Sequence, residues 1–391
     1  MHEIIIPPCK PRNPNRKRLQ QFHRSNRKHA INPPQKRKRK DWLQDLREGR
    51  VLEPWRDKDR AAKFLIDGLE KDGLLTPGKP GIVVEGTAGN TGIGLGLVCN
   101  TRGYKFICVI PNSQSQEKKD MLKMAGATLV QVPPKGWKFM NNYIRFSGRL
   151  AEEVGGVWAN QFDNINNRRA HFETTGPEIY AQLDGKIDAF SCAVGTGGTL
   201  VGTTQYLKSV NPNIKCCLTD PQGAAIHRFY KDGELKSEGG SITEGIGQGR
   251  ITGNLEGFAP DMNFEVDDKA ALDSCFELLS KEGLCVGMSA GLNAAGAERV
   301  ARELGPGHTI VTILCDSGTR YQGKMFNREF LKEKELPEPE FYSDDIPSEV
   351  NEAAARAMCP DGTLAPSAAA PVAAPPAEEA KGAEAALPPV A

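Results

Sequence analysis

No stretch of this chain approaches the roughly 20 consecutive apolar residues that a membrane-spanning helix needs, and no cleavable secretory core follows Met1. A soluble, intracellular protein is expected, cytoplasmic in the first instance. Net charge is also lacking. Lys and Arg number 50 against 49 Asp and Glu, a formal +1, so the whole molecule carries no electrostatic case for nucleic acid. Its 10 cysteines include no pair with C-x-x-C spacing, and only Cys216-Cys217 are adjacent. Several, such as Cys108, Cys192 and Cys315, sit within apolar runs. They read as buried reduced thiols, not as a disulfide framework or a zinc site, and no metal is expected. No internal repeat is evident.

What is present is 391 residues, enough for about two ordinary domains. From Asp57 to about Leu336, helix-periodic and strand-like runs alternate without long breaks. Asp59 to Gly73 has helix periodicity, Phe106–Ile110 reads as a strand, Gln116 to Met124 as a helix and Thr128–Val132 as another strand. Repeated β-α units imply an α/β fold of two doubly wound modules, each a mainly parallel sheet covered on both faces. The expected division is a smaller, mobile module over 57–164 and a larger one over 165–336, with ligands in the crevice between them, at the strands' carboxyl ends. Residues 337–391 turn to Ala, Pro and Glu and are expected to be a disordered tail.

Two loops stand out. In "VEGTAGNTG", Val84 to Gly92, an apolar strand passes through three glycines spaced three apart into an apolar helix. Unpartnered amides at a helix start make a socket for an anion. The spacing is not the dinucleotide pattern G-x-G-x-x-G, and by itself it fits a tight turn with packing glycines equally well. Downstream, the run Ile187–Val194 is followed by Gly195-Thr196-Gly197-Gly198-Thr199 and a helix over Leu200 to Val210. Here the glycines are dense enough for several amides to converge on one phosphate. A nucleotide-hydrolysing loop would need Lys where Leu200 stands. Two anion sockets in one such fold suggest a phosphorylated cofactor and a carboxylate substrate.

Six motifs in order, "EGTAGNTGIGLGLV", "NQFDN", "VGTGGT", "EGIGQGRI", "GMSAGLNAAGA" and "CDSGTRYQGKMFN", resemble the cysteine synthase (O-acetylserine sulfhydrylase) family. That family lies within the tryptophan-synthase-β-like, fold type II, pyridoxal-phosphate enzymes. The resemblance spans about Asp57 to Leu331. It implies a pyridoxal 5'-phosphate cofactor whose phosphate is cupped by Gly195, Thr196, Gly197, Gly198 and Thr199. Asn90 matches the residue that hydrogen-bonds the pyridine hydroxyl, and Ser317 the partner of the ring nitrogen. Thr87, Ala88, Gly89, Thr91 and Gln161 match the groups that hold the amino-acid carboxylate. A neutral hydroxyl at Ser317 would leave the ring a weaker electron sink than a carboxylate partner would, favouring quick β-elimination over transamination; its other reading is a helix cap.

Lys58 is nominated as the catalytic lysine by "KDRAA", which matches the end of the family's "PGGSVKDRAA". Ahead of it the likeness stops: "WRD" replaces "GGSV" and is one residue short. Reading Asp41 to Arg56 with the codon boundary moved one nucleotide downstream permits "TGCRIYGKAEFLNPGG", a family-like sequence. Residues 1–56 are therefore expected to be an out-of-frame or mis-spliced segment, disordered or mistranslated. Its basic clusters, Arg16-Lys17-Arg18 and Lys36 to Lys40, would be accidental. The competing reading is a nucleic-acid-binding or targeting arm, which would allow a mitochondrial address. The reaction implied is O-acetyl-L-serine plus sulfide to L-cysteine plus acetate, in a homodimer. Cystathionine β-synthase and serine or threonine dehydratase chemistry are the alternatives, and a non-catalytic binding partner is the alternative of another class.

Overall fold

Two parallel sheets carry the chain in a computed structural model that describes residues 4–5, 57–87, 89–341 and 348–357. The strands are β1 (Ile4–Ile5), β2 (Ile82–Gly86), β3 (Lys105–Pro111), β4 (Ala127–Val132), β5 (Val157–Trp158), β6 (Ala189–Ala193), β7 (Lys215–Pro221), β8 (Met262–Val266) and β9 (Ile310–Val311). One sheet runs β4-β3-β2-β5 and the other β1-β9-β6-β7-β8, with every pairing parallel. Parallel neighbours need crossovers, and helices such as Asn90–Arg102 and Gly198–Val210 provide them. The first sheet falls wholly within 57–164. The second falls within 165–336 except for β1.

Both sheets are apolar on two faces because helices cover both. Phe106, Cys108 and Ile110 of β3 pack with Ile93, Leu95, Leu65 and Ile66, while Phe190 and Cys192 of β6 pack with Leu200, Val201 and Leu207. The helix Asp57–Lys71 buries Ala61, Ala62, Leu65, Ile66 and Leu69. Fully burying each of its larger side chains contributes about 1.5–3 kcal/mol. That anchored stripe seats the helix's first turn, where Lys58 lies.

The expected strand Thr309 to Leu314 is shorter than its apolar run. Beyond Val311 a buried side chain, Asn293 of the helix Met288–Leu304, takes over the hydrogen bonds between β6 and β9. Its Oδ1 accepts from the Ala193 N–H at 2.7 Å and its Nδ2 donates to the Ile313 carbonyl at 2.7 Å. Thr312 Oγ1 donates to the Ser191 carbonyl at 2.7 Å. The wedge parts the two strands at their carboxyl ends, where open α/β sheets bind ligands.

The described residues up to Pro339 form one compact unit, and those from Glu340 on form another. Within the expected disordered tail, Ser348–Ala357 is a helix. "SEVNEAAARA" is rich in Ala and Glu and holds no Gly or Pro, so its local propensity outruns the composition of the tract as a whole. Of residues 1–56 only Ile4–Ile5 are described, paired with Ile310 and Val311; the remainder of that expectation lies outside the described residues. No helix among the described residues is long and apolar enough to cross a membrane. The described cysteines are free thiols, most of them buried.

Candidate active site

Lys58 and the glycine-rich loop, far apart in sequence, meet in the fold. The Lys58 amine donates to Thr199 Oγ1 at 3.2 Å. Behind Thr199 lies His171, fully buried, its Nε2 3.4 Å from the same hydroxyl and its Nδ1 2.9 Å from Thr175 Oγ1. His171–Thr175 is a π-helical turn, a local widening often found at functional sites.

Gly195 to Thr199 form a cup of small residues at the start of the helix Gly198–Val210. Gly197 has φ +89°, a left-handed conformation that aims the following amides into the cup. Gly195 passes so close to the next loop that an added Cβ would lie 2.5 Å from the Gly245 carbonyl oxygen. Thr196 and Thr199 are both buried and add hydroxyls. Closely spaced backbone amides at a helix start, two buried hydroxyls and an amine beside them suit a phosphorylated cofactor carrying an aldehyde. The residues present fit pyridoxal phosphate.

The opening loop is built differently from its regular glycine spacing. Cβ atoms at Gly86 and Gly92 would strike Tyr143 O and Leu122, whereas Gly89 faces open space. Two of the three glycines therefore serve packing, and only Gly89, preceding the helix Asn90–Arg102, lies open to a guest. Thr87 and Thr91 are buried beside it, with Thr87 Oγ1 accepting from the Gly89 N–H at 3.3 Å. Ala88 lies outside the described residues. Gln161 joins this loop through Nε2, which donates to the Gly86 carbonyl at 3.4 Å.

Asn167 connects the two sockets. Its Nδ2 donates to the Gln161 carbonyl at 2.8 Å and to Thr196 Oγ1 at 2.9 Å. Asn254 also donates to the Gln161 carbonyl, at 2.9 Å. The Gln161 N–H goes to Glu85 Oε2 at 3.2 Å. Glu85 is completely buried, and burial pushes its carboxyl up to about 8 although the Gln161 backbone and side chain pull the other way. Asn167, Asn254, His171 and Glu85 were not among the residues expected from sequence. The three on the far side of "NQFDN" had one signal, polar residues where a buried helix or turn would otherwise want apolar ones.

Asn90 and Ser317 are brought into one neighbourhood, though not as bare ligand-facing groups. Asn90 Nδ2 donates to Asp316 Oδ2 at 3.0 Å and its Oδ1 accepts from Arg320. Tyr321 O–H also donates to Asp316, at 2.8 Å. Ser317 is exposed, and its Oγ caps the short 3₁₀ turn Gly318–Tyr321 by accepting from the Thr319 N–H at 3.3 Å. The capping alternative is thus realised in this structure. A second tie across the same face joins Lys118 and Lys324 to Glu244. Burial draws the Lys118 amine down to about 8, aided by the nearby Lys324 and Arg320 charges.

Arg250 forks Asp163 at 2.8 and 2.9 Å, and the Gly253 N–H adds a bond of 2.8 Å to Asp163 Oδ1. Burial alone would raise the Asp163 carboxyl, but these hydrogen bonds and the Arg250 charge outweigh it and hold the group below its ordinary 3.8. A carboxyl lowered on folding stabilises fully above its unfolded value and loses that contribution as pH falls through the folded one. Arg250→Met should cost about 1–2 kcal/mol at pH 7, a charged hydrogen bond discounted for partial exposure. In urea melts the difference between wild type and variant should shrink only below 3.8.

Comparison with known proteins agrees with this geometry. Residues 58–316 match the model of the family described as pyridoxal-phosphate dependent enzyme, so the match starts at the lysine and leaves the preceding segment outside it. Cysteine synthase 1 of Neurospora crassa is 49% identical over 285 residues, covering 71% of this chain and 75% of that protein. Among solved structures, an O-ureido-L-serine synthase superposes with a TM-score of 0.64 at 30% identity, covering 75% of this chain and 87% of that one. An O-acetylserine dependent cystathionine beta-synthase from Helicobacter pylori gives 0.62 at 32% identity, covering 68% and 84%. Among the described residues no cluster of His, Cys, Asp or Glu could hold a metal. With a family match over residues 58–316 and a relative 49% identical over 71% of its length, this chain belongs to the pyridoxal-phosphate-dependent enzymes.

Proposed function

We propose that the protein is a cysteine synthase, converting O-acetyl-L-serine and hydrogen sulfide to L-cysteine and acetate. The observation that carries this is the contact between Lys58 and Thr199, 3.2 Å apart across 141 residues of sequence, beside a second socket suited to a carboxylate. Both fungal and bacterial relatives of high similarity bear the name cysteine synthase.

In this reading Gly195, Thr196, Gly197, Gly198 and Thr199 hold the cofactor phosphate. Lys58 carries the cofactor and, released from it, takes the proton from the substrate Cα. Bound pyridoxal phosphate supplies the sink for the electrons that proton leaves behind. Thr87, Gly89, Thr91 and Gln161, with Ala88, orient the substrate by its carboxylate. That fixes the Cα–H bond toward Lys58. Asn90, steadied by Asp316 and Arg320, is assigned to the pyridine hydroxyl. Ser317 is assigned to the ring nitrogen, where a hydroxyl brings no formal charge. Acetate departs from Cβ, sulfide adds there, and the Lys58 proton returns to Cα. Movement of 57–164 against 165–336 would shut water out during these steps. A homodimer belongs to the same reading, on the resemblance alone.

The chemistry is tested by loading the full chain with pyridoxal phosphate and offering O-acetyl-L-serine with sulfide, or serine with homocysteine. Cysteine should form at least about tenfold faster than cystathionine, about 1.4 kcal/mol of discrimination. The reverse preference would make the protein a cystathionine β-synthase. Absence of the lysine-bound cofactor's visible absorbance would favour the non-catalytic alternative.

A further inference from the structure

Glu85 is a carboxylate built into the strand end beneath the opening loop. It stands on β2 immediately before Gly86 and Thr87, with no solvent exposure. Oε2 accepts the Gln161 N–H at 3.2 Å, and Oε1 is buried without any hydrogen-bond partner. The groups acting on it are the Gln161 backbone and side chain and the backbones of Gly86 and Asn160, with no cation among them. Two titratable groups face it. They are the Cys108 thiol, opposite it on β3, and the Tyr143 phenol, on the helix Tyr143–Glu153. Burial raises both, Tyr143 to about 12, so both are neutral near pH 7.

An ionised carboxylate in that place would be an unpaired buried charge beneath a socket meant for an anion. A neutral acid avoids both costs. It still accepts from Gln161 through Oε2, leaving Oε1 as the oxygen that carries the proton. The Gln161 backbone is then held from both ends, its N–H by Glu85 and its carbonyl by Asn167 and Asn254.

We propose that Glu85 works as a protonated positioning residue, fixing Gln161 in the carboxylate socket and setting the upper pH limit at which the protein binds its amino-acid substrate. This rests on the reading of Thr87 to Thr91 and Gln161 as that socket. Glu85 touches no reacting atom. Burial pushes its carboxyl up to about 8, so deprotonation above that pH places one negative charge against another.

The test uses the full chain loaded with pyridoxal phosphate and L-alanine, an amino acid with no β leaving group, its binding followed by calorimetry from pH 6.5 to 9.5. Between pH 7 and 9 the wild-type Kd should rise about tenfold more than that of Glu85→Gln, the factor expected for a group titrating one pH unit lower. Substrate-amine and Lys58 ionisations cancel in that ratio. A flat ratio, with alanine still binding, overturns the proposal and leaves the socket standing. Failure of alanine to bind at any pH overturns the socket and the proposal together. Should Glu85→Gln not fold, carboxyl-labelled glutamate in the wild-type protein gives a direct answer by carbon NMR. One glutamate still protonated at pH 7 and titrating near 8 supports the assignment; none overturns it.

Discussion

Lys58→Ala is expected to abolish the lysine-bound cofactor absorbance and to lower the rate of cysteine formation by at least about 10³-fold. A positioned general base contributes about 10²–10⁴ by itself, and this lysine is assigned the covalent hold on the cofactor as well. The side chain reaches Thr199 from the first turn of a helix whose buried stripe runs from Ala61 to Leu69. Truncation at position 58 therefore leaves the helix seated, and the loss is chemical. Absorbance spectra of wild type and variant after reconstitution, followed by the O-acetylserine and sulfide assay, check both parts. A variant with unchanged absorbance would move the cofactor to another amine, and a folded variant with unchanged rate would remove Lys58 from the mechanism.

The two strand-to-helix loops were legible because both follow a local rule, an apolar strand running through small residues into a helix. Nothing local revealed how they are joined. Asn167 sits 29 residues from Thr196, in a stretch, "INNRRA", with no apolar periodicity to place it, and its double contact exists only once both sheets are assembled. The same holds for Asn293, which lies in a quoted motif yet shows its part only as a wedge between β6 and β9. That wedge explains why an apolar run of strand type stops pairing at Val311 and why Ser317 lies beyond the strand, in an isolated antiparallel bridge to Val286. Glu85 escaped notice for the opposite reason. A charged residue at a strand's end usually marks the way out to solvent, and here the strand continues inward.

Regular spacing was also a poor guide to role. Gly86, Gly89 and Gly92 look equivalent on paper, but neighbours crowd two of them and leave one open. In the second loop all three glycines are crowded, Gly195 by the Gly245 carbonyl, Gly197 by Leu255 and Gly198 by Asn167. Four of the six motifs resembling one family meet pairwise in space: Asp163 of "NQFDN" with Arg250 of "EGIGQGRI", and Asn90 of the opening loop with Asp316 of "CDSGTRYQGKMFN". Those pairings join distant parts of the sequence and make no demand on sequence neighbours.

Gly195→Ala should be the most damaging change of a single methyl group in the cup. The new Cβ would lie 2.5 Å from the carbonyl oxygen of Gly245, a backbone atom that no rotamer change can move. That loop is tied to the cup through the Gly247 N–H, which donates to the Val194 carbonyl at 3.1 Å. Relief therefore requires the strand end and the loop to separate, at the about 1–3 kcal/mol typical of overpacking. The displacement falls on the amides assigned to the phosphate, so the dissociation constant for pyridoxal phosphate should rise at least about tenfold, about 1.4 kcal/mol. Gly323→Ala is the control, since a Cβ there meets nothing within 4 Å. Cofactor titration followed by absorbance separates the two variants. If Gly195→Ala retained wild-type cofactor affinity, the phosphate would have to bind away from the close approach of Gly195 to Gly245, and the cup would lose its assignment.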